Sequence, residues 1–462
     1  SDPLSPVWEK QYFNYLGASA DQDTVYLSDQ YDIWVVSTKG SFPAVSLTGS
    51  HGALNHIKFE LIKSFGNIIE LSSLKYLTAF NDLTKESGFF SIASRLGAQP
   101  EKLEFGPYYY AEQGEIGAMD PCGLSLPVKA EKAPVFALFR CSEKESVNLF
   151  VTADFRKIRR ITDIHPEKKY NWLSTELLSW RMEDGGMRQG TLYKPENFDP
   201  SKKYPLIIYV YEQLSAGLHA FIAPEELKKS SVIDIPTYVS NGYLVFCPDA
   251  YKLEGNPLKG ITANIRSAVS RLGQMEFVDM ERLGIQGASW GGISTAFVIT
   301  QIPQFKAACM ASARTNQIAL SNAFMEDKTG YAYMIWGQPV FGKNLWQAPQ
   351  SYIENSAIMY ADKVETPVLI MHTTNDVLCP FYDIQQFYSA LCNLGKKVWM
   401  LEYQEGSHGV EGACATDFAT RMREYFDHLL MDKPVPAWMM TKRMKELKPI
   451  QWKTGAGSQI LQ

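Results

Sequence analysis

Six residues, Gly287-Ala288-Ser289-Trp290-Gly291-Gly292, lie between an apolar run from Leu283 to Gln286 and a helical-looking run from Ile293 to Thr300. They fit the G-x-S-x-G nucleophile elbow. A serine hydroxyl is a weak nucleophile. To attack a carbonyl it has to be lifted on a sharp strand-to-helix turn, within reach of a base and of N–H groups that can hold an oxyanion. Glycines on both flanks leave room for that turn. Taken alone the pattern is short, and a glycine-rich turn with an idle serine would read the same.

On an α/β sheet the partners of such a serine follow it in the order acid, then histidine, each on a loop at the C-terminal end of a strand. Val368 to His372 is a buried-strand run, and the polar loop Thr373-Thr374-Asn375-Asp376 after it presents Asp376. The next strand, Val398 to Tyr403, opens into Gln404-Glu405-Gly406-Ser407-His408-Gly409 and presents His408. His408 is then placed to take the Ser289 proton, with Asp376 fixing its tautomer. His372 precedes the acid and is expected to be structural; His428, on an amphipathic helix, is expected at a helix end or surface. The oxyanion donors expected are the Trp290 N–H and the hydroxyl of Tyr211, which follows the first strand of the sheet.

The elements needed to position these groups are legible in the second half. Glu176 to Arg181 and Gly190 to Lys194 read as strands around the Asp184-Gly185-Gly186 turn. Strand and helix patterns then alternate through 206–211, 243–247, 261–272, 283–286, 293–299, 307–311, 368–372, 383–391, 398–403 and 416–430. That alternation implies a doubly wound, mostly parallel sheet covered by helices. The first part reads differently. Three segments starting at Asp32, Gly88 and Asn148, 56 and 60 residues apart, each give a strand, a turn and a second strand. The expectation is an all-β partial propeller of about three blades over 1–170, an α/β domain over 171–440 and a basic tail over 441–462, with an irregular antiparallel sandwich as the other reading of the first part.

Three blades cannot close a ring. Either a propeller segment is missing from this chain or its open strand edges are covered, as by homo-oligomer formation. The 462 residues carry 45 Lys and Arg against 50 Asp and Glu, a net charge of −5 that leaves no footprint for nucleic acid or an anionic membrane. No apolar run reaches the roughly 18 to 20 residues of a membrane span. No signal pattern opens the sequence, which decides little because an export signal is removable; the compartment is left open, leaning to an exported or periplasmic one. Seven cysteines form no C-x-x-C pair, no H-E-x-x-H occurs and no glycine-rich phosphate loop follows a strand, so neither a metal nor an organic cofactor is expected. Cys122 and Cys141 are a disulfide candidate, while Cys247 and Cys309 read as buried thiols.

The chain resembles the prolyl oligopeptidase family of serine peptidases, in which a β-propeller precedes a C-terminal α/β-hydrolase domain. The resemblance is carried by 203–208, Asn241-Gly242-Tyr243, Val278-Asp279, the Ser289 elbow, Asp376 with Pro380, and Gly406-Ser407-His408-Gly409. It implies peptide substrates, a Ser289–Asp376–His408 triad with an acyl-enzyme intermediate, and Tyr211 in the oxyanion hole. Glu212-Gln213 stands where many members carry Gly-Pro. The paired glutamates of dipeptide-removing members have no assignable counterpart. Trp290 is the expected wall of a proline-sized pocket whose other walls 311–320 does not supply. A carboxylesterase on the same scaffold and a non-catalytic binding protein with a vestigial triad are the alternatives.

Overall fold

Alternation of apolar and polar residues folds the N-terminal part into short antiparallel strands; in Glu145–Thr152 every second residue is buried. The computed structural model describes residues 13–62, 68–69, 71, 76–93, 95, 97–110, 127–182, 185–223, 231–325, 328–440 and 458–461. Three sheets of four strands follow one another in the chain, each with its strands in sequential order. The first holds β1 (Asn14–Ala18), β2 (Thr24–Ser28), β3 (Ile33–Ser37) and β4 (Val45–Ser46). The second, after the short helix α1 (His51–Asn55), holds β5 (Ile57–Leu61), β6 (Tyr76–Asn81), β7 (Ser87–Ser91) and β8 (Glu101–Gly106). The third holds β9 (Val128–Lys129), β10 (Phe136–Ser142), β11 (Glu145–Thr152) and β12 (Arg159–Arg160).

These are propeller-type meanders, and the three related segments of the sequence are the last two strands of each. In two of them the similarity has a physical basis. Asp32, buried at the start of β3, accepts the Thr48 hydroxyl at 2.6 Å, and Asn148 on β11 accepts the Thr162 hydroxyl at 2.9 Å. A polar residue is thereby tied to a threonine just past the fourth strand. Successive sheets share apolar cores: Ile33, Val35, Phe59 and Leu77 in one cluster, Phe89, Phe136, Leu138 and Phe150 in the next.

The second half forms a nine-stranded sheet in the order β13-β14-β16-β15-β17-β18-β21-β22-β23. Its strands are β13 (Leu173–Arg181), β14 (Met187–Pro195), β15 (Tyr204–Tyr209), β16 (Leu244–Pro248), β17 (Val278–Ala288), β18 (Ala307–Ala311), β21 (Val368–Thr373), β22 (Val398–Tyr403) and β23 (Ser458–Leu461); β19 (Phe324–Met325) and β20 (Lys328–Thr329) make a separate hairpin. Pairing from β16 through β22 is parallel. The central strands are buried on both faces, as a helix-covered parallel sheet requires: every residue of β16, β18 and β21 is inaccessible. The long helices are α3 (Pro257–Leu272), α4 (Trp290–Val298), α8 (Phe381–Asn393) and α9 (Gly412–Met431); α2 (Ile235–Ser240), α5 (Gln317–Ser321), α6 (Gly330–Trp336) and α7 (Pro349–Glu354) are short. None among the described residues is long and apolar enough to cross a membrane.

The architecture is that of an α/β-hydrolase domain preceded by propeller-type sheets. One detail departs from the sequence reading. The chain end, expected as a solvated tail, returns in β23 to pair antiparallel with β22 and cover what would be an open edge. Lys442, Arg443, Lys445, Lys448 and Lys453, the tail's basic residues, lie outside the described residues, as does Cys122 of the disulfide candidate. Cys141, Cys247 and Cys309 are buried thiols.

The chain parts into two compact units. The described residues of Glu9–Tyr170 and of Ala216–Ala223 form one, those of Asn171–Ser215 and Pro224–Gln462 the other. The eight-residue segment Ala216–Ala223 thus belongs to the first unit although it is spelled between β15 and α2; within that unit His219 faces Glu143 at 3.6 Å.

Candidate active site

The parallel order of β15, β17, β18, β21 and β22 brings the ends of five strands to one side of the sheet, and backbone bonds beyond the strands tie the emerging loops together. Val210 N–H donates to Gln286 O at 2.9 Å, Ser289 N–H to Ala311 O at 2.9 Å, Ser312 N–H to Met371 O at 3.0 Å and Thr374 N–H to Tyr403 O at 2.8 Å. Each loop that carries a candidate residue is anchored to its neighbour at the point where it leaves the sheet.

Ser289 caps α4 with φ 55° and ψ −121°, a conformation that an L-residue adopts only under constraint. The glycines around it supply that constraint. A Cβ on Gly287 would lie 2.3 Å from the Gly291 carbonyl carbon and oxygen, so only hydrogen fits where the turn folds back on itself. Ser289 Oγ is 2.7 Å from His408 Nε2. His408 Nδ1 is 2.9 Å and 3.0 Å from the two carboxylate oxygens of Asp376. With the proton on Nδ1, His408 donates to Asp376 and its Nε2 accepts from the serine hydroxyl.

Asp376 is 5% exposed. Its Oδ1 also accepts from the backbone N–H groups of Leu378 at 2.9 Å and Cys379 at 2.8 Å. The carboxylate is therefore held from its own loop while it orients the imidazole. The histidine loop is fixed by Thr373, whose hydroxyl donates to Ser407 O, and by Asn375, whose amide donates to Gln404 O at 2.9 Å. Asp376, Cys379 and His408 each place a potential ligand atom within 4.8 Å of the others. Burial pushes the Cys379 thiol up to about 12, so at neutral pH it is protonated and a poor cation ligand.

Tyr211 follows the end of β15, and its half-buried hydroxyl interacts with the side chains of Gln338 and Ser289; burial raises its pKa. The Trp290 N–H opens α4 and has no acceptor within the helix. Both oxyanion candidates thus flank Ser289. The Trp290 ring is placed differently from the expectation of a pocket wall: it is 1% exposed and packed in the hydrolase core, with the Lys252 ammonium 5.2 Å from its centre. His372 is fully buried, its nitrogens 3.0 Å from Thr373 O and 3.2 Å from Ala313 O. His428 closes α9, 2.8 Å from Lys433 O.

One group behind the site was not legible in advance. Lys252, with 1% of its side chain exposed, pairs with Glu212 at 2.8 Å. Gln338 also donates to Glu212 at 2.8 Å and accepts from the Tyr333 hydroxyl at 3.0 Å. Burial pulls Lys252 down to about 8 although the Glu212 charge opposes it. Glu212 at a Gly-Pro position was the available signal; its cation stands 40 residues away, at the end of the next strand's loop.

Residues 258–454 match the Prolyl oligopeptidase family. The uncharacterized peptidase YuxL of Bacillus subtilis (strain 168) is 25% identical over 245 residues, covering 51% of this chain and 35% of its own. Dipeptidyl-peptidase 5 of Porphyromonas gingivalis is 26% identical over 285 residues, covering 59% of this chain and 39% of its own. Among solved structures, dipeptidyl peptidase 4 of Porphyromonas gingivalis aligns with a TM-score of 0.65 at 17% identity, over 91% of this chain and 57% of that one. The matched region therefore spans well under half the length of either curated relative.

Proposed function

Residues 258–454 being a prolyl oligopeptidase family domain, we propose that this chain is the hydrolytic part of a serine peptidase acting on short peptides. The observation that carries the reading is the continuous relay from Ser289 Oγ through His408 to Asp376, with contacts of 2.7 and 2.9 Å. Ser289 attacks the scissile carbonyl while its proton passes to His408 Nε2. Asp376 stabilises the imidazolium that results. The carbonyl oxygen, now an oxyanion, is held by the Trp290 N–H and the Tyr211 hydroxyl. His408 gives its proton to the leaving amine, which departs and leaves an acyl-Ser289. Water, deprotonated by His408, then attacks the acyl carbon and releases the acid.

Labelling with a fluorophosphonate probe tests the nucleophile: the wild type takes the label, Ser289→Ala does not. Persistent labelling of the alanine variant would refute the assignment. Turnover of peptide anilides against simple aryl esters separates a peptidase from a carboxylesterase on the same scaffold.

A further inference from the structure

Arg314 lies three residues beyond Ala311, the residue whose carbonyl anchors Ser289, and it is 2% exposed. Its Nη1 is 3.7 Å from Cys379 Sγ, and that sulfur lies within 4.8 Å of ligand atoms of both Asp376 and His408. The guanidinium is thus one side chain removed from the relay.

What surrounds it does not satisfy it. A guanidinium presents five N–H donors in a planar fork, and sulfur is a weak acceptor. Arg314 finds Gln317 Oε1 at 3.5 Å, Cys379 Sγ at 3.7 Å and Met334 Sδ at 4.0 Å. The Tyr333 ring centre is 5.6 Å away, and its hydroxyl, a neutral acceptor that itself donates to Gln338, is the remaining side-chain hydrogen-bond partner. No carboxylate lies within 4.0 Å of it among the described residues. Asp383, the acid of this neighbourhood, has both oxygens committed: Oδ1 accepts from Thr315 N–H at 2.6 Å and from the Thr315 hydroxyl at 3.0 Å, and Oδ2 from Asn316 N–H at 3.2 Å. Beside Arg314, Gln317 Nε2 is buried without any acceptor. A buried, unpaired cation with a second idle donor next to it is costly unless something supplies the missing charge.

A pocket reaches this group. It opens to solvent and is lined by Arg314, Leu320, Ala323, Pro380, Tyr382 and Asp383. A carboxylate is the ligand that a planar guanidinium fork pairs with in bidentate fashion.

From these observations we infer that Arg314 is the specificity determinant of the site and receives a carboxylate of the substrate, in the first place the side chain of a glutamate or aspartate whose own carbonyl Ser289 attacks. The inference rests on the serine-peptidase reading. Arg314 positions and selects; it takes no part in proton transfer.

The test compares hydrolysis of aminomethylcoumarin dipeptides ending in Glu, Gln, Leu and Pro, in free-amino and acetylated form, by wild type, Arg314→Met and Arg314→Lys. Protection of Ser289 from a fluorophosphonate probe by the corresponding dipeptide acids and amides is read in parallel. Expected is a Glu over Gln preference of at least tenfold in kcat/KM, lost in Arg314→Met and reduced but retained in Arg314→Lys. Protection that follows the terminal carboxylate instead of Glu against Gln, and disappears in Arg314→Met, assigns the same pocket to the peptide's C-terminus. If Gln matches Glu and neither carboxylate's effect changes with Arg314, the inference falls while a labelled Ser289 leaves the peptidase reading intact. A wild type that never takes the label sinks both. Should Arg314→Met fail to fold, the wild-type Glu to Gln ratio together with Arg314→Lys decides.

Discussion

Gly291 on α4 and Val210 at the end of β15 approach so closely that a β-carbon on residue 291 would lie 2.0 Å from the Val210 carbonyl oxygen. The contact joins the helix that begins beside the nucleophile to the strand end that leads into Tyr211. Gly291→Ala must push the two backbones apart. The expected outcome is a loss of about 1–3 kcal/mol in stability from overpacking and a fall in kcat of about 100-fold, because an ångström of displacement at a positioned group costs on that order. Thermal unfolding and peptide-anilide turnover of the variant check both.

Removing members of the relay has a larger effect. His408→Ala and Asp376→Asn are each expected to lower kcat by roughly 10⁴, the first by deleting the base and the second by favouring the wrong tautomer. The serine and histidine deletions are expected to be non-additive, since the groups act as one unit. Residual peptide-anilide hydrolysis rates of the single and double variants measure this; a double variant losing the product of the two single factors would contradict it.

Tyr211→Phe removes one oxyanion donor and leaves the ring. Its cost should fall on kcat, by about 10²–10³, with KM nearly unchanged, because the hydroxyl meets the charge only when it develops. An effect confined to KM would make Tyr211 a binding residue.

Lys252 predicts a pH dependence of stability. Its folded pKa of about 8 lies below the ordinary lysine value of 10.5, so between those values the unfolded chain binds more protons and stability rises with pH. The penalty for burying the ammonium is fully present below pH 8 and is relieved as pH climbs toward 10.5. Relative to Lys252→Met/Glu212→Gln, the wild type should gain up to about 3 kcal/mol between pH 7 and pH 10.5, at 1.36 kcal/mol per pKa unit. Urea unfolding of both proteins at the two pH values reads the difference. Parallel curves would show that Lys252 keeps its proton throughout.

What sequence makes visible here is whatever depends on local pattern and chain order. Ser289, Asp376 and His408 stand in loops after apolar runs that form strands β17, β21 and β22, in the order that α/β-hydrolases use. The last two strands of the three N-terminal sheets were marked by the repeat at Asp32, Gly88 and Asn148, which in two of the sheets rests on a polar anchor, Asp32 or Asn148. Arg314 and Lys252 carry no comparable signal. An arginine between Ala313 and Thr315 reads as a solvated loop residue. It is the packing of Met334 and Tyr333 on α6 and of Cys379 ahead of α8 that takes it out of water. The edge strand β23 was hidden for a related reason, since its partner lies more than fifty residues earlier.

The segment Ala216–Ala223 has a practical bearing on any attempt to dissect this protein. Leu218, Ala220 and Phe221 are buried, and their companions come from the N-terminal unit. A catalytic half excised at residue 171 would keep those apolar side chains and lose their shelter. It would behave as a sticky, self-associating fragment, whereas replacing 216–223 by a short polar bridge should let the excised half stay in solution.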